Sequence, residues 1–400
     1  MAEKKKTKWI RFRHRIVRNL LAAVLVPYSR IVYGIKVEKF RKQAGRQYLI
    51  LLNHQTPFDQ FFVGMAFKGP VYYLATEDIF SLGFVSKIIS YLVAPIPIKK
   101  QTTDLKAVLT CMRVAKEGGT ICIAPEGNRT YSGRTEYMNP AIVALVKKLS
   151  LPLVLYRLEG GYGVQPRWSD VVRKGKMRGY VSRVVEPEEY KATSDEELMA
   201  LIREGLYVDE NTLSGEFYHS NSAEYLERCV YICPFCGFSH FYSKGNITKC
   251  MGCGRETEYL PTKELRGVGY DHPFRFVSQW YDYQEEYINA LDITSFIQKP
   301  VYTEHASVYE VVLYKSKHII HKDAVISLYG DRVTVNDTVF HFSSVSHVTV
   351  LGKNKLNIYS GGKVYQLKGD KHFNALKYLH FYYRYKNITT GAKDDKFLGL

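Results

Sequence analysis

The chain has 400 residues, 46% of them hydrophobic, enough for one to three domains with ordinary cores. A net charge of +17 favours an anionic partner: a lipid surface, a phosphorylated small molecule, an acidic protein or nucleic acid. Seven cysteines, four of them in two close pairs, argue against a secreted disulfide scaffold.

The start, EKKKTKWIRFRHRIVRNLLAAVLVPYSRIVYGIKVE, is basic and then apolar, with Trp9 and Phe12 among the cations. This composition predicts that residues 1–35 form an amphipathic helix in a membrane interface, with cations toward anionic headgroups and aromatics at the acyl boundary. The basic start lacks the long apolar core and cleavage site of a secretory signal. Leu20–Val26, the longest apolar run there, is far short of the ~20 residues that span a bilayer. The expected location is therefore peripheral, on the cytoplasmic face of a membrane.

From Tyr48 the pattern alternates strand and helix. Strands are predicted at Tyr48–Asn53, Val71–Ala75, Ala94–Ile98, Thr120–Ala124 and Leu153–Leu158. Helices are predicted at Pro57–Phe67 with Thr56 as N-cap, Ile79–Leu92, Thr103–Glu117, Pro140–Leu149 capped by Asn139, and Ser194–Leu206. Residues 36–215 thus read as an α/β domain with a mostly parallel sheet and flanking helices, whose ligands bind beyond the carboxyl ends of strands.

Residues 228–260 hold two Cys-x2-Cys pairs, Cys233/Cys236 and Cys250/Cys253, each followed by Gly. This resembles a zinc ribbon. Four thiolates suit a tetrahedral, structural Zn²⁺ and leave no open position for catalysis. Residues 261–298 read as a helical connector. Residues 299–390 read as short alternating strands closed by one amphipathic helix, similar in topology to a pleckstrin-homology domain, with Lys315, Lys317, Lys353 and Lys355 available to anionic headgroups.

Two strand ends carry chemistry-bearing residues. NHQTPFD places His54 and Asp59 after the first strand of the α/β domain, and APEGNRT places Glu126, Gly127, Asn128 and Arg129 after the fourth. Taken alone, Asp59 reads as a helix-capping carboxylate and His54 as a loop histidine. A second His-x4-Asp, His318–Asp323, lies in the strand-rich tail without a partner motif and reads as accidental.

Together the two segments resemble the first and third signatures of the glycerolipid acyltransferase family, of the 1-acylglycerol-3-phosphate type. LVAPIPIKK, Leu92–Lys100, stands where the second signature belongs, and LPLVL, Leu151–Leu155, resembles the fourth. Ala124 and Asn128 depart from the usual Phe and Thr, and Lys99 and Lys100 stand in place of an Arg. The resemblance implies transfer of an acyl group from a thioester, on coenzyme A or acyl carrier protein, to a glycerolipid hydroxyl such as that of lysophosphatidate. His54 would be the general base and Asp59 its orienting partner, which fits the need to deprotonate an alcohol. Glu126, Gly127, Asn128 and Arg129, with Lys99 and Lys100, would hold the acceptor phosphate. The alternative is a catalytically weak or inactive lipid- or nucleic-acid-binding protein on the same fold. Beyond the ribbon no nucleic-acid motif is present, so nucleic acid is not an expected partner.

Overall fold

The computed structural model describes residues 8–41, 45–76, 79–98, 105–312 and 315–390. It divides into two compact units. The first comprises residues up to 129, 135–161 and 176–209, and the second comprises residues 130–134, 162–175 and those from 210 onward.

The first unit opens with helix α1 (Phe12–Val32) and strand β1 (Ile35–Val37). It continues through β2 (Leu49–Leu52), α2 (Asp59–Ala66), β3 (Val71–Thr76), α3 (Phe84–Val93), β4 (Ile96–Ile98), α4 (Leu105–Lys116), β5 (Thr120–Ile123), α5 (Ala141–Leu149) and β6 (Leu153–Glu159). The single turn α6 (Gly161–Val164) leads into residues 162–175 of the second unit, and the first unit resumes with β7 (Met177–Val185), α7 (Pro187–Lys191) and α8 (Asp195–Leu206). The sheet order is β1-β7-β6-β2-β5-β3-β4, and every neighbouring pair is parallel except β6 with β7. The fold is thus the α/β arrangement with a mostly parallel sheet that the alternation predicts. The central strand β2 is buried at every residue, as expected where both faces of a parallel sheet are covered. Strands β1 and β7 are not legible in the sequence: β1 is only three residues long, and β7 alternates weakly, with exposed Arg178, Arg183 and Val184.

Three local features differ from the sequence reading. Helix α2 begins at Asp59 rather than Pro57, because the Asp59 carboxylate draws residues 54–56 into a turn around itself. The single helix expected over Ile79–Leu92 is a short 3-10 turn, Ile79–Ser81, followed by α3, because Gly83 adopts φ 61° and ψ −123°, outside any helix. Trp9 does not reach outward to an interface. It packs against the first unit's core, and its indole N–H donates to the Ala94 carbonyl at 3.2 Å. Phe12, by contrast, is exposed.

The second unit holds the cysteine-rich segment. Strands β8 (Ile232–Cys233) and β9 (Gly237–Phe238) form one hairpin, and β10 (Phe241–Lys244), β11 (Ile247–Cys250), β12 (Glu256–Tyr259) and β13 (Leu265–Gly267) form a four-stranded antiparallel sheet. Helix α9 (Val277–Ala290) is part of the same core rather than a spacer. Gln284 on α9 accepts from the Tyr231 and Ile232 amides at 2.6 and 3.1 Å, and the Trp280 indole N–H donates to the Ile232 carbonyl at 2.8 Å. The first cysteine pair is therefore anchored from behind by a helix.

The remaining strands are β14 (Tyr302–Glu310), β15 (His318–Leu328), β16 (Arg332–Val335), β17 (Thr338–His341), β18 (Val345–Leu351), β19 (Lys355–Ser360) and β20 (Lys363–Lys368), followed by α10 (Leu376–Thr390). They form one antiparallel sheet in the order β17-β16-β15-β14-β20-β19-β18, the β-rich module with a closing helix that the sequence predicts. Two of the lysines expected to face headgroups are engaged within the unit: Lys353 pairs with Asp170 at 2.8 Å, and Lys317 donates to Gln366 at 2.9 Å. In the second His-x4-Asp copy, Asp323 meets His305 at 3.0 Å, and both side chains are exposed.

Candidate active site

Strands β2 and β5 are adjacent and parallel, so the segments leaving their carboxyl ends emerge side by side. That adjacency turns two separate sequence motifs into one site. Asn53, directly after β2, is buried, and its amide bonds both backbone groups of Leu158 on β6, at 2.8 Å to the carbonyl and 2.7 Å from the N–H. The turn that follows is thereby pinned to the sheet before it reaches His54.

His54 Nδ1 lies 2.7 Å from Asp59 Oδ2. A carboxylate can only accept, so Nδ1 carries the proton and the Nε2 lone pair points away from Asp59. Asp59 is 1% exposed and also accepts from the Gln55 amide at 2.7 Å, the Thr56 amide at 2.9 Å and the Thr56 hydroxyl at 2.6 Å. Four donors on one buried carboxylate leave it no freedom to turn. It serves both as cap of the helix start and as orienter of the imidazole, two roles that in the sequence look like competing readings. The His54 side chain remains about one quarter exposed, at 26%.

Glu126 enters from the neighbouring strand end. It is 1% exposed, and its two oxygens accept from the backbone N–H groups of His54 and Glu136, each at 2.8 Å. Burial pushes its carboxyl well above the usual carboxylate range, and the two N–H bonds oppose that rise. The resemblance assigns Glu126 to the acceptor. Its buried position, with both oxygens directed at backbone amides, instead makes it a brace between the His54 turn and the segment after β5.

Gly127 is exposed at φ 69°, a conformation that favours glycine, and its N–H closes a turn onto the Ala124 carbonyl at 3.0 Å. Asn128 is buried and Arg129 is half-buried. Arg129 is close enough to Tyr33 for its charge to lower the phenol, against the rise caused chiefly by burial and to a lesser degree by Tyr28 and Asp59. The guanidinium thus shares a neighbourhood with the Asp59 carboxylate. Lys99 and Lys100 lie outside the described residues.

Sequence reasoning missed Asn53, Gln55 and Gly161, and gave Thr56 the role of N-cap, whereas its N–H and hydroxyl both donate to Asp59 and the helix start follows Phe58. A Cβ on Gly161 would lie 2.4 Å from Gln55 Oε1 and 3.0 Å from Thr56 Cγ2, so the turn behind His54 packs against a residue that has no room for a side chain. The available signal was the run NHQT itself, since a polar stretch leaving a fully apolar strand has to bond its side chains somewhere.

In the second unit the four sulfurs of Cys233, Cys236, Cys250 and Cys253 lie within 4.8 Å of one another. Cys233 to Cys253 is 3.7 Å and Cys236 to Cys250 is 3.5 Å. A tetrahedral ion with Zn–S bonds of about 2.3 Å needs sulfurs about 3.8 Å apart, so the cluster has the size of a metal cage. Gly237 and Gly254, at φ 79° and 76°, follow the second cysteine of each pair and permit the tight knuckle turns. The Phe235 amide donates to Cys233 Sγ at 3.5 Å, as expected for a sulfur that carries negative charge when ligating.

Residues 34–156 match the Acyltransferase family model. Among solved structures, the chain is similar to the 1-acyl-sn-glycerophosphate (LPA) acyltransferase PlsC from Thermotoga maritima, at 20% identity, over 49% of this chain and 80% of that one, with a TM-score of 0.39. It is also similar to the N-terminal PH domain of human ARAP2, at 11% identity, over 22% of this chain and 82% of that one, with a TM-score of 0.17. No curated protein matches the chain.

Proposed function

We propose that this protein transfers a fatty acyl group from acyl-CoA or acyl carrier protein to a hydroxyl of a glycerolipid such as lysophosphatidate. The observation that carries this reading is the 2.7 Å bond between His54 Nδ1 and a buried Asp59 that four donors hold in place. His54 Nε2 removes the acceptor's hydroxyl proton as the oxygen attacks the thioester carbonyl. The tetrahedral intermediate then expels the thiolate, which takes the proton from the imidazolium, and Asp59 stabilises that cation while it exists. Arg129 and the Gly127–Asn128 backbone bind the acceptor phosphate, with Lys99 or Lys100 assisting. The thiolate cage holds a structural Zn²⁺, through Cys233, Cys236, Cys250 and Cys253, which supplies cross-linking and no reaction step.

The acceptor is a lipid, so the site has to work at a bilayer surface. No helix among the described residues is long and apolar enough to cross a membrane. Exposed apolar side chains support a peripheral contact instead. On α1, Phe12, Ile16, Leu20, Val24, Tyr28 and Ile31 recur at helical spacing and are all exposed. Helix α3 adds exposed Phe84, Val85 and Tyr91, and it lies against α1, because Arg13 donates to the Tyr91 carbonyl at 2.8 Å. This face rests on the cytoplasmic side of the membrane.

The test is acyl transfer by purified protein from labelled acyl-CoA or acyl carrier protein to a panel of lysolipids, with His54→Ala as the control. The expected result is transfer by the native protein and a loss of about 10²–10⁴-fold in the variant, which keeps its fold. Near-normal turnover by His54→Ala sinks the mechanism. A folded, metal-loaded native protein that binds lysolipid but transfers nothing supports the inactive lipid-binding alternative.

A further inference from the structure

Helix α2 carries Asp59 in its first turn and is only eight residues long. Its last carbonyls have no partner within the helix, as at any helix end. Each of them finds one outside it. The Gly64 and Phe67 carbonyls both accept from Arg18 Nη2, at 3.0 and 2.9 Å. The Met65 carbonyl accepts from Lys39 Nζ at 2.7 Å, and the Ala66 carbonyl accepts the Phe40 N–H at 3.0 Å. Two cations therefore sit at the negative end of the helix dipole, where charge of that sign is most favourable. The carboxylate at the opposite end holds His54.

Arg18 belongs to α1. The α1 grip extends to both ends of α2. At the amino end, Tyr28 of α1 and Tyr33 just after it pack on the Phe58 ring, with centroids 5.8 and 5.1 Å away. At the carboxyl end the grip is Arg18. Buried Phe62, Val63, Met65 and Ala66 hold the inner face of α2, and the partners at its two ends add the contacts that fix its position along its own axis, and with it the place of Asp59.

We infer that Arg18, assisted by Lys39, is a positioning residue for acyl transfer: it caps the carboxyl end of α2 and so fixes Asp59 and, through it, the His54 ring. This rests on the reading of His54 as base and Asp59 as its orienter. It also makes α1 more than an anchor, since the helix that meets the lipid holds the helix that carries the orienting carboxylate.

The experiment uses the full chain, acyl-CoA and a short-chain soluble 1-acylglycerol-3-phosphate, so that turnover does not depend on membrane binding. Arg18→Ala, Arg18→Lys and Lys39→Met are measured alone and combined with Asp59→Asn, alongside co-sedimentation with phosphatidylglycerol-containing vesicles. A displacement of about 1 Å in a reacting group costs up to ~10²-fold, so Arg18→Ala is expected to lower kcat about tenfold. Acceptor KM and vesicle binding should hold, and Arg18→Lys should recover part of the loss. In the Asp59→Asn background the same substitution should cost less than about twofold, because two residues acting through one interaction are not additive. Lys39→Met, whose side chain is exposed, should repeat the pattern at smaller size. Together with Arg18→Lys it carries the test if Arg18→Ala does not fold.

Full multiplication of the Arg18 and Asp59 effects would overturn the inference. So would an unchanged kcat with weakened vesicle binding, which would make Arg18 a headgroup cation. An inactive His54→Ala beside a fully active Arg18→Ala rejects this inference alone, whereas an active His54→Ala rejects the general-base reading beneath it.

Discussion

Glu126→Gln tests whether the buried carboxylate meets substrate or braces the site. In the native protein its two oxygens accept from two separate backbone N–H groups, those of His54 and Glu136, each at 2.8 Å and out of contact with water. Glutamine has nearly the same shape but only one terminal acceptor, so one buried N–H is left facing an NH2 group. A buried donor without a partner costs about 1–3 kcal/mol. In a cooperative unit of roughly 200 residues, each kcal/mol lowers Tm by about 2–4 °C, giving an expected fall of about 2–12 °C. If the amide oxygen keeps Glu136, the His54 backbone is the group released, and kcat should fall with little change in acceptor KM. Thermal unfolding and steady-state kinetics on the same preparation read both quantities. A variant with native Tm and kcat but a raised acceptor KM would refute the brace and return Glu126 to the acceptor contact implied by the family resemblance. A variant unchanged in all three would refute both roles.

Further expectations concern the metal, pH and the membrane. Metal analysis of purified protein should find one tightly bound zinc per chain. Strong chelation should lower the Tm of the second unit, whose core includes Cys233 and Cys250; loss of catalysis with unfolding unchanged would instead give the ion a chemical role. His380 is fully buried, and burial pulls its pKa down to about 3, so the folded state stays unprotonated where the unfolded chain takes up a proton. Its contribution to stability is therefore present above the unfolded pKa of about 6.5 and is lost by about 1.4 kcal/mol per pH unit as pH falls from there toward the folded value. The urea midpoint should drop between pH 6.5 and 5, and His380→Gln should flatten that slope relative to the native protein; equal slopes would exclude His380 as the cause. Val24→Asp and Phe84→Asp, at exposed apolar positions on α1 and α3, should weaken vesicle binding and slow transfer to bilayer-embedded acceptor while sparing the soluble one. Unchanged vesicle binding in both would move the lipid contact elsewhere on the protein.

Much of this protein is legible in its sequence because the signals are local. The run Leu49–Leu52 is apolar at every position, and a strand covered on both faces requires just that. The knuckle glycines follow the cysteines directly, so cage and turn are read together. His54 and Asp59 sit five residues apart on either side of a helix start, a spacing short enough for the chain itself to bring them together.

What the tertiary structure decided are the long-range choices. The pairing of β2 with β5 is a matter of sheet order, and it delivers Glu126 to the His54 amide across 72 positions of sequence. Trp9 and Arg18 lie in a stretch whose composition suits an interface, yet one packs against the core and the other caps α2. Composition records which residues can lie at a surface. It cannot say which carbonyl or cavity the folded chain will set opposite each one. A free helix end needs donors whether or not they are near in sequence, and only packing assigns them.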